Sequence, residues 1–184
     1  YCADIAVSEF DQLDHVLDLT TSPEDYLSIV RGKTAGPFAA GCHVAGMIAG
    51  LSKEQALPLR RFGMDFGIAF QLVDDLLDLR GDERMGKPRG ADVLEGKMTL
   101  PLIHALTLSH GEKRQRLAQI IENFTDDCFD ELMALLNHSD SLHYAEILVR
   151  THLERAIDEL EPFPESDAKD MMLSVADYVK RRNM

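Results

Sequence analysis

The chain has 184 residues, 45% of them hydrophobic, and a formal net charge of −13, which suits one domain with a substantial core and excludes bulk attraction to nucleic-acid backbones or anionic membranes. Cys2, Cys42 and Cys128 are widely spaced, without CxxC or Cys/His metal spacing, and read as free thiols of a reducing cytoplasm. Neither a charged-then-apolar leader nor a run of roughly 18 apolar residues is visible.

Apolar residues recur at helical spacing almost throughout, and period-two runs of β-branched and aromatic residues are absent. The predicted fold class is therefore all-α, as a single helical domain over 1–184. Tyr1-Cys2-Ala3-Asp4-Ile5 begins without Met and reads like the middle of a helix, so a fragment is expected. Ser8 to about Thr20 predicts an amphipathic helix whose stripe, Phe10, Leu13, Val16 and Leu17, fits either core or a subunit interface. Ser22-Pro23-Glu24-Asp25 is a strong helix start, with Ser22 as cap and Pro23 at the first position. That helix should run to about Gly50, kinked at Gly36-Pro37, just after Lys33-Thr34. Its second half is small and apolar, which permits close packing.

Ser52-Lys53-Glu54-Gln55 has the form of a capping box and predicts a third helix reaching about Leu79. From Arg80 to Lys97 the composition turns to Gly, Asp, Lys and Arg without periodicity, a loop. Thr99-Leu100-Pro101 opens a helix toward Ser109, followed by helices near 112–123, 126–137, 139–161 and 165–182. The last two are separated at Pro162-Phe163-Pro164.

The third helix carries the chemistry. Asp74 and Asp78, four apart, share one helix face at about 6 Å, with Asp75 beside them and Gln71 one turn earlier. An isolated Asp-Asp-x-x-Asp in an acidic chain reads first as a solvated face. Here Phe66, Ile68, Ala69, Phe70, Leu72, Val73, Leu76 and Leu77 leave no outer face, and carboxylates on a buried helix need compensation. A hard divalent cation supplies it, and Mg²⁺ held by one or two carboxylates usually shares its remaining positions with substrate phosphates. Lys33, Lys87, Arg89 and Lys97, at helix ends or in the following loop, are suited to diphosphate oxygens.

The segment Phe66-Gly67-Ile68-Ala69-Phe70-Gln71-Leu72-Val73-Asp74-Asp75-Leu76-Leu77-Asp78 resembles the second aspartate-rich signature of the polyprenyl synthetase family. The resemblance extends to Glu9-Phe10-Asp11-Gln12, Lys33-Thr34-Ala35, Gly86-Lys87, Gly90-Ala91-Asp92 and Glu95-Gly96-Lys97-Met98-Thr99-Leu100-Pro101, and more weakly to Arg181-Arg182. It implies the C-terminal part of the isoprenoid synthase helical bundle and a head-to-tail, trans condensation of an allylic prenyl diphosphate with isopentenyl diphosphate. By matching positions, Asp74 would ligate the third magnesium ion, with Asp78 helping through water and Asp75 as a ligand or a helper behind it. Lys33 and Lys97 would contact the allylic diphosphate, and Lys87 would hold it or the neighbouring loop. Thr34 and Gln71 would place oxygens near the developing cation. The ordinary alternative for Thr34 is a helical threonine bonded to its own backbone.

The family's first aspartate-rich motif is not in this sequence. Asp126-Asp127-Cys128-Phe129-Asp130 repeats the spacing, but downstream and without apolar flanks, and reads as a solvated helix start. The chain is thus expected to be the C-terminal half of a larger enzyme, to bind metal poorly and to be inactive alone. The family's habit implies a homodimer. A non-catalytic subunit of a heteromeric synthase is the alternative, disfavoured by the retained lysines. A terpene cyclase on the same fold ranks last, because the Asn/Asp-x-x-Ser/Thr-x-x-x-Glu motif of such enzymes is replaced by Asp74-Asp75-x-x-Asp78.

Overall fold

A computed structural model describes residues 2–81 and 89–182, all-helical as the periodicity predicts. Helix α1 (Cys2–Asp14) begins earlier and ends sooner than the predicted 8–20 segment. It stops because Leu17 turns to φ 55° and donates its N–H to Gly96 O at 2.9 Å, which ties the chain to the loop before α6. Phe10 and Leu13 are 70% and 65% exposed; among the described residues nothing covers them, so they are not core here.

Helix α2 (Pro23–Val30) starts as predicted. Ser22 Oγ accepts from the Asp25 N–H at 3.1 Å while the Asp25 carboxylate accepts from the Ser22 N–H at 3.0 Å, a reciprocal cap that satisfies two otherwise orphan donors. The expected kink at Gly36-Pro37 takes another form. Residues Arg31–Ala35 form a π-helical turn, in which Gly36 N–H reaches back to Arg31 O, and α3 (Gly36–Ile48) continues from it. Pro37 has no N–H, and its ring crowds the carbonyl four residues before it, that of Lys33. A wider turn immediately upstream makes room without breaking the rod.

The capping-box bonds at Ser52 and Gln55 form, but they close only a turn, and α4 (Leu57–Arg80) begins five residues late. Pro58 sets that boundary: within a helix from Ser52 it would forfeit an interior bond, whereas in the first turn it forfeits nothing. At 24 residues α4 is about 36 Å long and forms the axis of the fold. Phe62, Phe66, Ile68, Leu72, Val73, Leu76 and Leu79 are all buried along it. The π-helical turn and α3 pack closely on one side, Ala35 against Gly67 and Ala39 against Gly63. α9 (Ser141–Asp158) packs on another, burying Ala145, Val149, Leu153 and Ala156. His152 on α9 hydrogen-bonds Asp65 on α4 at 2.7 Å.

The predicted 80–97 loop contains a short helix, α5 (Ala91–Leu94). Helix α6 (Leu100–Leu108) follows, then α7 (Gly111–Glu122) and α8 (Phe129–His138), which is preceded by a 3₁₀ turn at Asp126–Cys128. Leu102, Ile103, Leu117, Ile120, Leu132 and Leu136 join them into the core beneath α9. Helix α10 (Asp167–Arg182) closes the bundle on α9 and α4 through Ala176 and Val179. Among the described residues no helix is long and apolar enough to cross a membrane.

Candidate active site

Helix α2, the π-helical turn, the middle of α4 and the segment around 92–99 enclose a cavity of about 230 Å³ lined by Tyr26, Lys33, Thr34, Gln71, Asp74, Asp75, Asp92, Lys97 and Thr99. Lys33, Thr34, Gln71, Asp74, Asp75 and Lys97, expected together from the sequence, therefore share one cavity. Lys87 lies outside the described residues.

The three aspartates have three different environments. Asp74 is exposed, lines the cavity and receives no hydrogen bond among the described residues. Asp75, 3% exposed, sits one position on, about 100° around the helix, and is anchored on both oxygens: Tyr26 donates to one at 2.6 Å and the Gln71 amide to the other at 2.8 Å. Burial pushes its carboxyl up to about 7, with Asp92 and Asp74 adding to the effect and the Tyr26 and Gln71 hydrogen bonds opposing it. Burial likewise drives the Tyr26 hydroxyl well above the usual phenol range. Asp78 does not line the cavity. Its carboxylate accepts the Asp92 N–H at 3.1 Å and its carbonyl accepts the Gly90 N–H at 2.9 Å, so it fixes the start of α5. Burial, then the charge of Asp92, pushes Asp78 up to about 6.

The lysines are held by partners of their own. Lys33 donates to Gln12 Oε1 at 2.6 Å and pairs with Glu9 at 3.1 Å, which ties α1 to the π-helical turn and gives the Glu9 and Gln12 matches a physical role. Lys97 pairs with Asp92 at 2.7 Å and Glu95 at 2.8 Å. Partial burial pulls its pKa down, but these two carboxylates outweigh that and leave it raised. Thr34 is not the backbone-bonded threonine of the ordinary reading: its hydroxyl donates to Gln71 Oε1 at 2.9 Å.

Arg89 does not join this set. Its guanidinium lies 4.4 Å above the Phe129 ring and 3.5 and 3.7 Å from Asp126 and Asp130. The downstream Asp-Asp-x-x-Asp, expected to be merely solvated, is where the arginine goes. Cation–π contact and two exposed carboxylates outcompete a place beside the cavity.

Among the described residues no group of three His, Cys, Asp or Glu side chains converges to hold a metal. The donor chemistry nonetheless fits a hard divalent cation: Asp74 offers a carboxylate unengaged among the described residues, and such an ion takes its other oxygens from phosphate and water. Sequence reasoning missed Tyr26 and the role of Asp92. Tyr26 is seven residues before Lys33, a same-face helical spacing that flags a polar tip beside the site, whereas the Asp92–Lys97 pair depends on α5 and has no periodic signal. Also missed was the Thr99 hydroxyl, buried against the cavity without a hydrogen-bond partner among the described residues.

Residues 1–138 match the sequence profile described as Polyprenyl synthetase. The chain is 34% identical over 181 residues to an octaprenyl diphosphate synthase of Haemophilus influenzae, covering 97% of this chain and 55% of that protein. Its fold superposes with a TM-score of 0.91 and 34% identity on a decaprenyl diphosphate synthase from Rhodobacter capsulatus, covering 99% of this chain and 57% of that one. A polyprenyl synthase from Caulobacter crescentus, complexed with calcium and isoprenyl diphosphate, superposes with a TM-score of 0.90 at 34% identity, covering 98% and 56% of the two chains. The chain thus spans about half the length of the relatives it matches.

Proposed function

The chain belongs to the polyprenyl synthetase family, and on that footing we propose that it supplies the second aspartate motif and the cation-facing wall of a trans-prenyltransferase, as the C-terminal half of the whole enzyme. The reaction joins an allylic prenyl diphosphate to isopentenyl diphosphate. The allylic C–O bond breaks with its electron pair leaving on diphosphate, the isopentenyl double bond attacks the allylic carbon, and a proton is lost. The observation that carries this reading is the convergence of Lys33, Lys97 and Asp74 with the Thr34–Gln71 pair in one cavity.

Each residue answers one requirement of that chemistry. Lys33 and Lys97 exchange carboxylate partners for diphosphate oxygens and hold the leaving group. Thr34 and Gln71 direct oxygens toward the carbon that becomes positive. The apolar wall of Ile29, Val30 and Met98 excludes water from it. Asp74 is the residue that would hold Mg²⁺ directly, with Asp75 and Asp78 setting its surroundings; the metal, when bound, supplies charge neutralisation at the diphosphate. The whole protein would be cytoplasmic and dimeric. The chain alone would bind metal weakly and be inactive, because the family's first aspartate-rich motif is not in this sequence. A non-catalytic role as one component of a heteromeric synthase is disfavoured by this intact constellation.

The test is incorporation of isopentenyl diphosphate by the full-length protein with Mg²⁺ and an allylic diphosphate. Asp74→Ala should lower kcat by at least about a hundredfold, within the range for removing a group that stabilises transition-state charge. An unchanged rate would overturn the metal assignment.

A further inference from the structure

Tyr26 is absent from every motif discussed above, yet it holds one end of a chain of hydrogen bonds that ends at the reacting centre. Its hydroxyl donates to Asp75 Oδ2 at 2.6 Å, Gln71 Nε2 donates to Asp75 Oδ1 at 2.8 Å, and Thr34 Oγ1 donates to Gln71 Oε1 at 2.9 Å. Each direction follows from the one before it. Asp75 accepts on both oxygens, from Tyr26 on one and from Gln71 Nε2 on the other, so Gln71 presents its NH₂ to Asp75. Its carbonyl oxygen then faces Thr34, whose hydroxyl must spend its proton there. What remains on the cavity side of Thr34 is an oxygen with free lone pairs, the negative end of its dipole. Were Gln71 reversed, Thr34 would accept from the amide and present its O–H proton to the cavity, the wrong sign beside a developing cation.

The geometry points to Tyr26 as a positioning residue: by pinning Asp75 from the side opposite Gln71, it sets the polarity of the Gln71–Thr34 pair and so the sign of the dipole that faces the allylic carbon. This rests on the prenyl-transfer reading of the same cavity. Burial supports it. Tyr26 is 6% and Asp75 3% exposed, so the carboxylate has little water to replace a lost donor, and a buried carboxylate held by one donor is free to rotate. Tyr26 and Thr34 are eight residues apart on one helical rod, about 12 Å along its axis, so an influence of one on the other travels through Asp75 and Gln71.

The experiment is a double-mutant cycle in the full-length protein with Tyr26→Phe, Thr34→Val and the pair, read both as kcat and KM for each diphosphate and as urea unfolding midpoints. Tyr26→Phe should lower kcat about tenfold, the size of one lost buried hydrogen bond, with both KM values within about twofold of wild type. Thr34→Val should cost about tenfold alone but less than about threefold in the Tyr26→Phe background, because the hydroxyl there no longer has a fixed direction. Additive effects in both readouts, an unchanged kcat in Tyr26→Phe, or a loss confined to KM would overturn the assignment. If the wild-type protein performs no condensation, the prenyl-transfer reading fails; coupling in the unfolding midpoints then keeps the relay, and additivity there removes it. Should Tyr26→Phe not fold, Gln71→Met opens the chain one link further on and must show the same loss of Thr34→Val sensitivity.

Discussion

Replacing Gly67 with alanine puts one methyl group where two helices touch backbone to backbone. A Cβ built there lies 2.5 Å from Ala35 Cα, 3.0 Å from Ala35 Cβ and 3.1 Å from Phe38 Cδ2, against an ordinary carbon–carbon contact of about 3.5 Å or more. The Phe38 ring can yield, but the Ala35 backbone cannot without parting α3 from α4 by about 1 Å. Overpacking of that kind costs about 1–3 kcal/mol. The same displacement would stretch the Thr34–Gln71 hydrogen bond, now 2.9 Å between the neighbouring residue and the next turn, beyond hydrogen-bonding distance, at about another 1 kcal/mol. Alanine's better helix propensity returns up to about 1 kcal/mol, leaving a net loss near 2 kcal/mol. In urea unfolding of the full-length protein, the Gly67→Ala midpoint should fall accordingly, and kcat should fall with it. Gly41→Ala on α3, where a Cβ meets nothing within 4 Å, should gain about 0.5–1 kcal/mol from propensity alone. A Gly67→Ala protein as stable and active as wild type would show that the α3–α4 approach does not position Thr34.

Asp75 and Asp78 make stability depend on pH in a defined direction. Their folded pKa values, about 7 and about 6, lie above the 3.8 of an ordinary aspartate. The protonated forms therefore favour folding, a contribution complete below about pH 4 and lost as pH rises through 6 to 7. Metal-free wild type should thus lose on the order of 3 kcal/mol relative to Asp75→Asn between pH 4 and 8; a gap that is flat or widens the other way refutes the burial argument. For the other Asp-Asp-x-x-Asp, Asp126→Asn with Asp130→Asn should leave condensation within about twofold and cost less than about 1 kcal/mol, since both carboxylates are more than three-quarters exposed. A steep drop in activity would make that segment part of the site.

Much of this was legible in the residues because it rests on local rules. The start at Ser22-Pro23 follows from capping chemistry, the burial of α4 from its apolar periphery, and the closeness of Gln71 to Asp74 and Asp75 from helical spacing, while Lys33 was expected beside them from the family resemblance. What was not legible depends on tertiary packing. Asp74 and Asp75 are adjacent and identical, and only the location of Tyr26, 49 residues from Asp75, makes Asp75 an anchored part of the wall while Asp74 stays exposed at the cavity. Arg89 looked like a diphosphate partner because it is near the aspartates in sequence, but the 3₁₀ turn and Phe129 lie nearer in space. The late start of α4 follows from Pro58, which outweighs the capping box at Ser52.

The π-helical turn at Arg31–Ala35 holds one residue more than an α-helical turn, and its greater width absorbs that residue, so α2 and α3 run on one rod in nearly the phase of an uninterrupted helix. Deleting a single residue between 31 and 35 should close the turn to ordinary α-helical bonding and leave Ala39 against Gly63 of α4. The turn that carries Lys33 to Glu9 and Gln12, and Thr34 to Gln71, would be remade. The extra residue is thus a splice in the rod, whose removal falls on the cavity wall and spares the bundle.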